Sequence, residues 1–268
     1  MSDARERRWV ALGTAGVLML WAGGLLLSHG ACNSTRKPMQ SPVSSRTREL
    51  RADPAPAKDG LAPVTRRQLH VTEGQLVNVT EGRLVNVAEG APDGTHFAIE
   101  EPRQRAVVPE STGDEAELRF TWLGVTDPVI PLASGQRREQ VGLKLRARDG
   151  CNVIYAMWRI APSAGIVVNF KRNPDDHESR ECGNAGYTTV RPRFMEPLER
   201  LSPGEPHVLR ARIDADVLTV YADGQRVWEG LLPADARTLE GPAGMRTDNA
   251  RVRFELLVPQ AAGPTSRR

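Results

Sequence analysis

The residues of this chain that could do chemistry fall into a few groups. Lys144, Arg146 and Arg148 alternate along one run, Arg210 and Arg212 along a second, and Arg251 and Arg253 along a third. Each lies opposite an apolar row, as period-2 side-chain geometry requires, so these cations could converge on one sheet face and hold an acidic polymer through bidentate contacts. Solvated strand faces that discourage edge pairing would give the same pattern. The densest acidic loop runs Asp175-Asp176-His177-Glu178-Ser179-Arg180-Glu181. Oxygens of Asp175, Asp176 and Glu178 could enter the shell of a Ca²⁺ ion, which takes about six to eight oxygen ligands. A solvated loop is the competing reading, and no other cofactor is implied. Of the five His, His177 and His207 lie beyond residue 116. His207 reads as the opening residue of a strand, which leaves a Ser-His-Asp arrangement hard to build. Asp214 and Asp216 flank a turn and suit turn chemistry better than acid/base work.

The elements that must position these residues are strands. In residues 116–260, Leu118, Phe120 and Trp122 are in phase, and so are Val141, Leu143, Leu145 and Ala147. Residues 153–160 are apolar on both faces and suit a central strand. Ile166, Val168 and Phe170 follow the Pro162-Ser-Ala-Gly165 turn. Residues 187–190 form another run, and Val252, Phe254, Leu256 and Val258 close the series. Between them, Leu209, Ala211 and Ile213 share a face, Leu218, Val220 and Ala222 continue in phase, and Asp223-Gly224 leads into Val227-Trp228. Asp-Gly between apolar runs is a strong hairpin signal, because a tight primed turn needs positive φ, which Gly adopts freely. Many short strands with turn signals and no convincing long helix predict an all-β fold, a jelly-roll β-sandwich of antiparallel strands.

Residues 154–172 (IYAMWRIAPSAGIVVNFKR), 207–230 (HVLRARIDADVLTVYADGQRVWEG) and 241–258 (GPAGMRTDNARVRFELLV) resemble, in this order and spacing, concanavalin A-like lectin/glucanase domains of the laminin-G-like kind. The resemblance covers roughly half the chain. It implies the sandwich, but it leaves function open, because similar domains serve as lectins, glycosidases, adhesive modules and structural domains. The superfamily's glucanases carry paired carboxylates as Glu-x-Asp-x-x-Glu, and this chain contains no Glu-x-Asp. Cys151 precedes one strand of the expected 153–160/166–170 hairpin and Cys182 follows the other, so both reach the same end of the sheet. A disulfide there would close a loop of about 32 residues and contribute roughly 3 to 4 kcal/mol in the chain-entropy model. Two free thiols are the alternative.

The remainder of the chain reads differently. Residues 1–8 place Arg5, Arg7 and Arg8 before an uncharged stretch within residues 9–28, long enough for a transmembrane signal-anchor helix. The expected topology is single-pass, with the C-terminal domain outside the cytoplasm. A cleaved, secreted form, or a lipoprotein carrying lipid on Cys32, is the alternative. Residues 29–115 contain one aromatic residue, Phe97, and read as a low-complexity linker with an eight-residue repeat at 71–90, Val-Thr-Glu-Gly-x-Leu-Val-Asn. Residues 261–268 read as a disordered tail. The formal charge of +3 and pI near 9.0 do not make the domain basic, since residues 116–259 hold 20 Lys and Arg against 19 Asp and Glu. No nucleic-acid partner is expected. The expected function is a membrane-tethered, non-catalytic module binding a glycan or other surface polymer. The alternatives are a sugar-derivative hydrolase resembling 3-keto-disaccharide hydrolases, or a structural or protein-interaction domain.

Overall fold

The structure is a computed structural model that describes residues 60–80, 83–86 and 94–259, and for 77–80 and 83–86 the backbone alone. The expected membrane span at 9–28, Cys32 and the tail at 261–268 lie outside the described residues. In chain order the strands are β1 (Leu61–Pro63), β2 (His70–Glu73), β3 (Val77–Thr80), β4 (Arg83–Asn86), β5 (His96–Ile99), β6 (Arg103–Val108), β7 (Glu115–Val125), β8 (Glu139–Leu145), β9 (Val153–Ala161) and β10 (Gly165–Lys171). After a helical turn, α1 (Ser179–Cys182), come β11 (Tyr187–Thr189), β12 (Phe194–Met195), β13 (Pro206–Asp214), β14 (Val217–Ala222) and β15 (Gln225–Leu231). A second helical turn, α2 (Ala234–Arg237), leads to β16 (Ala243–Asp248) and β17 (Ala250–Pro259).

These strands build two antiparallel sheets. The first runs β12-β15-β14-β13-β7-β17-β5-β3-β4, with β1 also paired to β17, and the second runs β11-β10-β9-β8-β16-β6-β2. Period-2 alternation sends Leu118, Phe120, Leu209, Val220 and Phe254 of the first sheet against Val141, Leu143, Ile154, Trp158, Val168 and Met245 of the second, in one buried core. The all-β sandwich expected from the pattern and from the concanavalin A-like resemblance is therefore the architecture observed. The Asp-Gly hairpin is there too. Asp223 and Gly224 take φ of 49° and 82°, and β14 and β15 pair on either side. The Asp223 carboxylate also accepts from the Val208 amide at 2.7 Å and contacts the His207 ring at 2.9 Å, so the turn fixes the start of β13.

The linker reading of residues 29–115 is corrected from residue 60 onward. Residues 60–115 supply β1 to β6, which belong to the sandwich, and Val64, Leu69, Leu76, Phe97, Ile99, Ala106 and Val108 are buried in its core. The first copy of the repeat is part of this. Its β2 pairs with β6 in the second sheet, Leu76 is fully buried, and β3 passes into the first sheet as a hairpin with β4. The apolar residues of this segment reach the core one at a time from short strands separated by polar turns. They form no long periodic run, and composition alone misread them. Within residues 116–259 two strands join those expected, the two-residue β12 and the central β16.

Candidate functional site

The outer face of the second sheet forms the floor of a groove. On β9 the residues that alternate with the core set are Val153, Tyr155 and Met157, and with Ala147 they form a second small apolar cluster on the face away from the main core. This is why residues 153–160 are apolar on both sides. Register lays the neighbours out in rows. Tyr155 pairs with Lys144 on β8 and Asn169 on β10, and Lys144 pairs with Gly244 on β16. Arg246 pairs with Gly142 on one side and Arg105 on the other, and Arg105 with Glu73 of β2. Lys171 at the end of β10 pairs with Tyr187 of β11. Gly142 is required by space, since a Cβ there would lie 2.4 Å from the Ala156 carbonyl oxygen and 2.6 Å from the Met157 sulfur.

Charge on this floor is concentrated and mostly out of water. Asp248 is fully buried and takes a bidentate contact from Arg246, Nε to Oδ2 at 2.8 Å and Nη2 to Oδ1 at 3.2 Å. Arg105 donates to the same carboxylate at 3.2 Å and the Gln140 amide at 2.7 Å, while Arg105 also pairs with Glu73. With Arg103 3.7 Å from Glu73, three guanidiniums thus share two carboxylates, and Asp248 holds the Arg246 pKa well above its ordinary value although burial opposes this. Lys144 and Lys171 carry charge beyond these pairs. Lys171 donates to the Gly183 carbonyl at 2.8 Å and lies 2.7 Å from the Cys182 sulfur. The Lys144 ammonium makes no hydrogen bond or ion pair among the described residues, and its burial, with Arg105 and Arg246 nearby, pushes its pKa down to about 8.

Two tyrosines complete the floor. Tyr155 and Tyr187 stack with centroids 6.1 Å apart and planes at 27°; Arg246 lies over Tyr155 at 4.8 Å and Lys171 over Tyr187 at 5.2 Å. Arg246 Nη1 donates to the Tyr187 hydroxyl at 3.0 Å. Burial pushes the Tyr155 phenol well up. For Tyr187 burial pulls the same way, but the charge and hydrogen bond of Arg246, with Lys171, bring it below its ordinary value. Tyr187 remains 37% exposed, so part of its side chain reaches the groove surface, whereas Tyr155 beneath it is buried.

Two loops form the walls. Residues 126–138 are held by Asn249, a fully buried residue at φ 52° in the turn between β16 and β17. Its Oδ1 accepts from the Ile130 amide and its Nδ2 donates to the Ile130 and Arg138 carbonyls, each at 2.9 Å. On the other side, buried Asn152 donates to the Asn173 and Asp176 carbonyls at 2.9 and 3.0 Å and accepts from the Asn173 amide at 3.0 Å. The Cys151–Cys182 disulfide ties the same loop down, as the hairpin geometry predicts. Asp149 contacts the His177 ring at 2.9 Å, and the Glu181 carboxylate accepts from the His177 and Glu178 amides to cap α1. Floor and walls enclose a groove of about 610 Å³ running from Arg103, Leu132 and Arg138 past Arg246 and Tyr187 to Arg180 and Asn184. A neighbouring cavity of about 520 Å³ lies beside it, over Lys144, Arg105 and Arg148.

The seven cations singled out from the sequence do not converge. Lys144 is on the groove side of the second sheet, and Arg148 stands at the rim of the smaller cavity. Arg146, at φ 44° where β8 ends, turns to Asp114 at 2.6 Å and to the Arg237 carbonyl at 3.3 Å. Arg210 and Arg212 belong to β13, and Arg251 and Arg253 to β17, both in the other sheet. Arg210 pairs with Glu115, Arg251 with the Leu123 carbonyl at 2.8 Å, and Arg212 and Arg253 are exposed. The physical reason is that alternation fixes which face of a strand a residue occupies, but not which sheet the strand joins. The Ca²⁺ expectation is not supported either. Asp175 is exposed, Glu178 pairs with Arg180 at 2.6 Å, and among the described residues no three His, Cys, Asp or Glu side chains gather as a metal site. The groove residues that sequence reasoning missed are Glu73, Arg105, Tyr155, Lys171, Tyr187, Arg246 and Asp248. The one signal for them is the apolar outer row of β9, which marks a covered or functional second face.

No family model matches this chain, and no curated protein matches it. Among solved structures, a carbohydrate-binding module, CBM66, from Bacillus subtilis is 12% identical with a TM-score of 0.45, covering 70% of this chain and 91% of that one. A Bacillus subtilis protein of unknown function with a galectin-like fold is 11% identical with a TM-score of 0.45, covering 72% and 89%. The galectin LEC-6 of Caenorhabditis elegans is 10% identical with a TM-score of 0.36, covering 63% and 98%. At such identities and scores these likenesses carry no argument about ligand or chemistry.

Proposed function

We propose that the groove on the outer face of the second sheet is a saccharide-binding site, and that the chain is a non-catalytic binding module held at a membrane with this domain outside the cytoplasm. The observation that carries the reading is the stacked Tyr155–Tyr187 pair beside Arg246, Lys171 and Asn169, between two pinned loops. A sugar ring offers one apolar face and a rim of hydroxyls. An aromatic platform flanked by fixed cationic and amide donors meets both requirements without rearrangement. The disulfide fits an oxidising compartment. The charge-free stretch after Arg5, Arg7 and Arg8 supports the tether. The reading is tested by screening the full-length protein on an array of neutral and acidic glycans, beside its Tyr187→Ala variant. Binding by the parent that the variant loses supports it. Unchanged binding by the variant would contradict it.

A further inference from the structure

The smaller cavity has an unmatched charge. Three carboxylates line it, and each is already engaged: Glu73 by Arg105, Asp149 by His177 and Asn152, and Glu178 by Arg180. Among its cations, the Lys144 side chain has no hydrogen-bond or ion-pair partner among the described residues, although only 4% of the residue is exposed. Exposed Arg148 at the rim has no ion-pair partner among them either. An ammonium on a nearly buried side chain, bordering the cavity and without a protein partner, is costly unless something supplies the missing acceptor, and the cavity beside it is large enough for a ligand group. We propose that this cavity is an anion subsite of the groove, in which Lys144, with Arg148 at the rim, takes the carboxylate or sulfate ester of an acidic saccharide.

Arg105 lines both cavities, and so does Tyr155, so a saccharide stacked on the tyrosines could extend a charged substituent toward Lys144. Neighbouring charges favour an anion there. Arg105 from β6 and Arg246 from β16 both disfavour the Lys144 proton, while Glu73 from β2 and Asp149 after β8 favour it less strongly, and Tyr155 from β9 faces it across the sheet. An incoming oxyanion would relieve that repulsion. Its affinity should therefore fall as pH rises through about 8, where Lys144 loses its proton.

The ligand class rests on the saccharide reading of the groove, and the test separates the two. Full-length protein is titrated with sodium sulfate at constant ionic strength, and with hexagalacturonate, its neutral methyl ester, a carrageenan hexasaccharide bearing only sulfate esters, and the desulfated form. Lys144→Met removes the charge at similar volume, and Arg148→Gln, at an exposed position, guards against a folding defect. The proposal predicts a saturable rise in melting temperature with sulfate that Lys144→Met abolishes. It also predicts that one or both acidic hexasaccharides bind more tightly than their neutral forms, with a loss of about ten-fold in Lys144→Met and a smaller loss in Arg148→Gln, the scale of one charge-assisted hydrogen bond. Sulfate and acid preferences that survive Lys144→Met would overturn it while leaving the groove reading intact. A Lys144-dependent sulfate response with no saccharide bound would keep the anion site and remove the saccharide.

Discussion

Lys144 is the residue whose environment says most about the site. In the unfolded chain its ammonium is hydrated, whereas in the fold burial lowers its pKa from 10.5 to about 8. Below pH 8 both states carry the proton and the whole cost of burying it is present. Between about pH 8 and 10.5 the unfolded state alone holds the proton, so this group's cost is relieved as pH rises. Lys144→Met should therefore be more stable than the parent at pH 7, by up to about 3 kcal/mol, and the gap should close toward pH 10. Chemical denaturation of both proteins at pH 7 and pH 10 checks this. A less stable variant at pH 7 would show that Lys144 already has a partner. The sequence placed Lys144 correctly on a polar strand face but could not tell its burial from the exposure of Arg212 and Arg253. Whether a face is covered depends on strands far away in the chain.

At the scale of elements, the groove depends on what holds its walls. Asn249 combines a left-handed backbone conformation with three side-chain hydrogen bonds to residues 130 and 138. Asn249→Gly keeps the backbone conformation at no steric cost and deletes only the bonds. It should cost about 2 kcal/mol and speed amide exchange in residues 126–138 without changing the core strands. Asn249→Ala should cost roughly 1 kcal/mol more, because an L side chain at positive φ is strained. Equal effects of the two variants would remove backbone conformation from the account. The hairpins and the disulfide were legible in the sequence because they rest on local signals, Asp-Gly for one and Cys flanking adjacent strands for the other. β16 was not. Its segment AGMRTD is buried on both faces but carries Arg246 and Asp248 where an apolar outer row would have marked a central strand.

At the scale of the molecule, residues 60–115 complete both sheets, supplying β2 and β6 to one and β1, β3, β4 and β5 to the other. A chain starting at residue 116 would expose β16 and one side of β17 as unpaired edges and lose Phe97, whose ring packs 5.2 Å from Phe254. That truncation should be insoluble, whereas a start near residue 60 should fold. In the intact protein Phe97→Ala should cost about 3 to 5 kcal/mol. A soluble, cooperatively melting fragment from residue 116 would refute this. The central claim, that ligand is held on the outer face of the second sheet, is tested most directly by affinity. With a saccharide that the full-length protein binds, Tyr187→Ala is compared with the double variant Arg212→Ala/Arg253→Ala on the other sheet. The account predicts about a five- to ten-fold loss for Tyr187→Ala and none for the double variant. Loss in the double variant with Tyr187→Ala unchanged would place the site on the opposite sheet and contradict it.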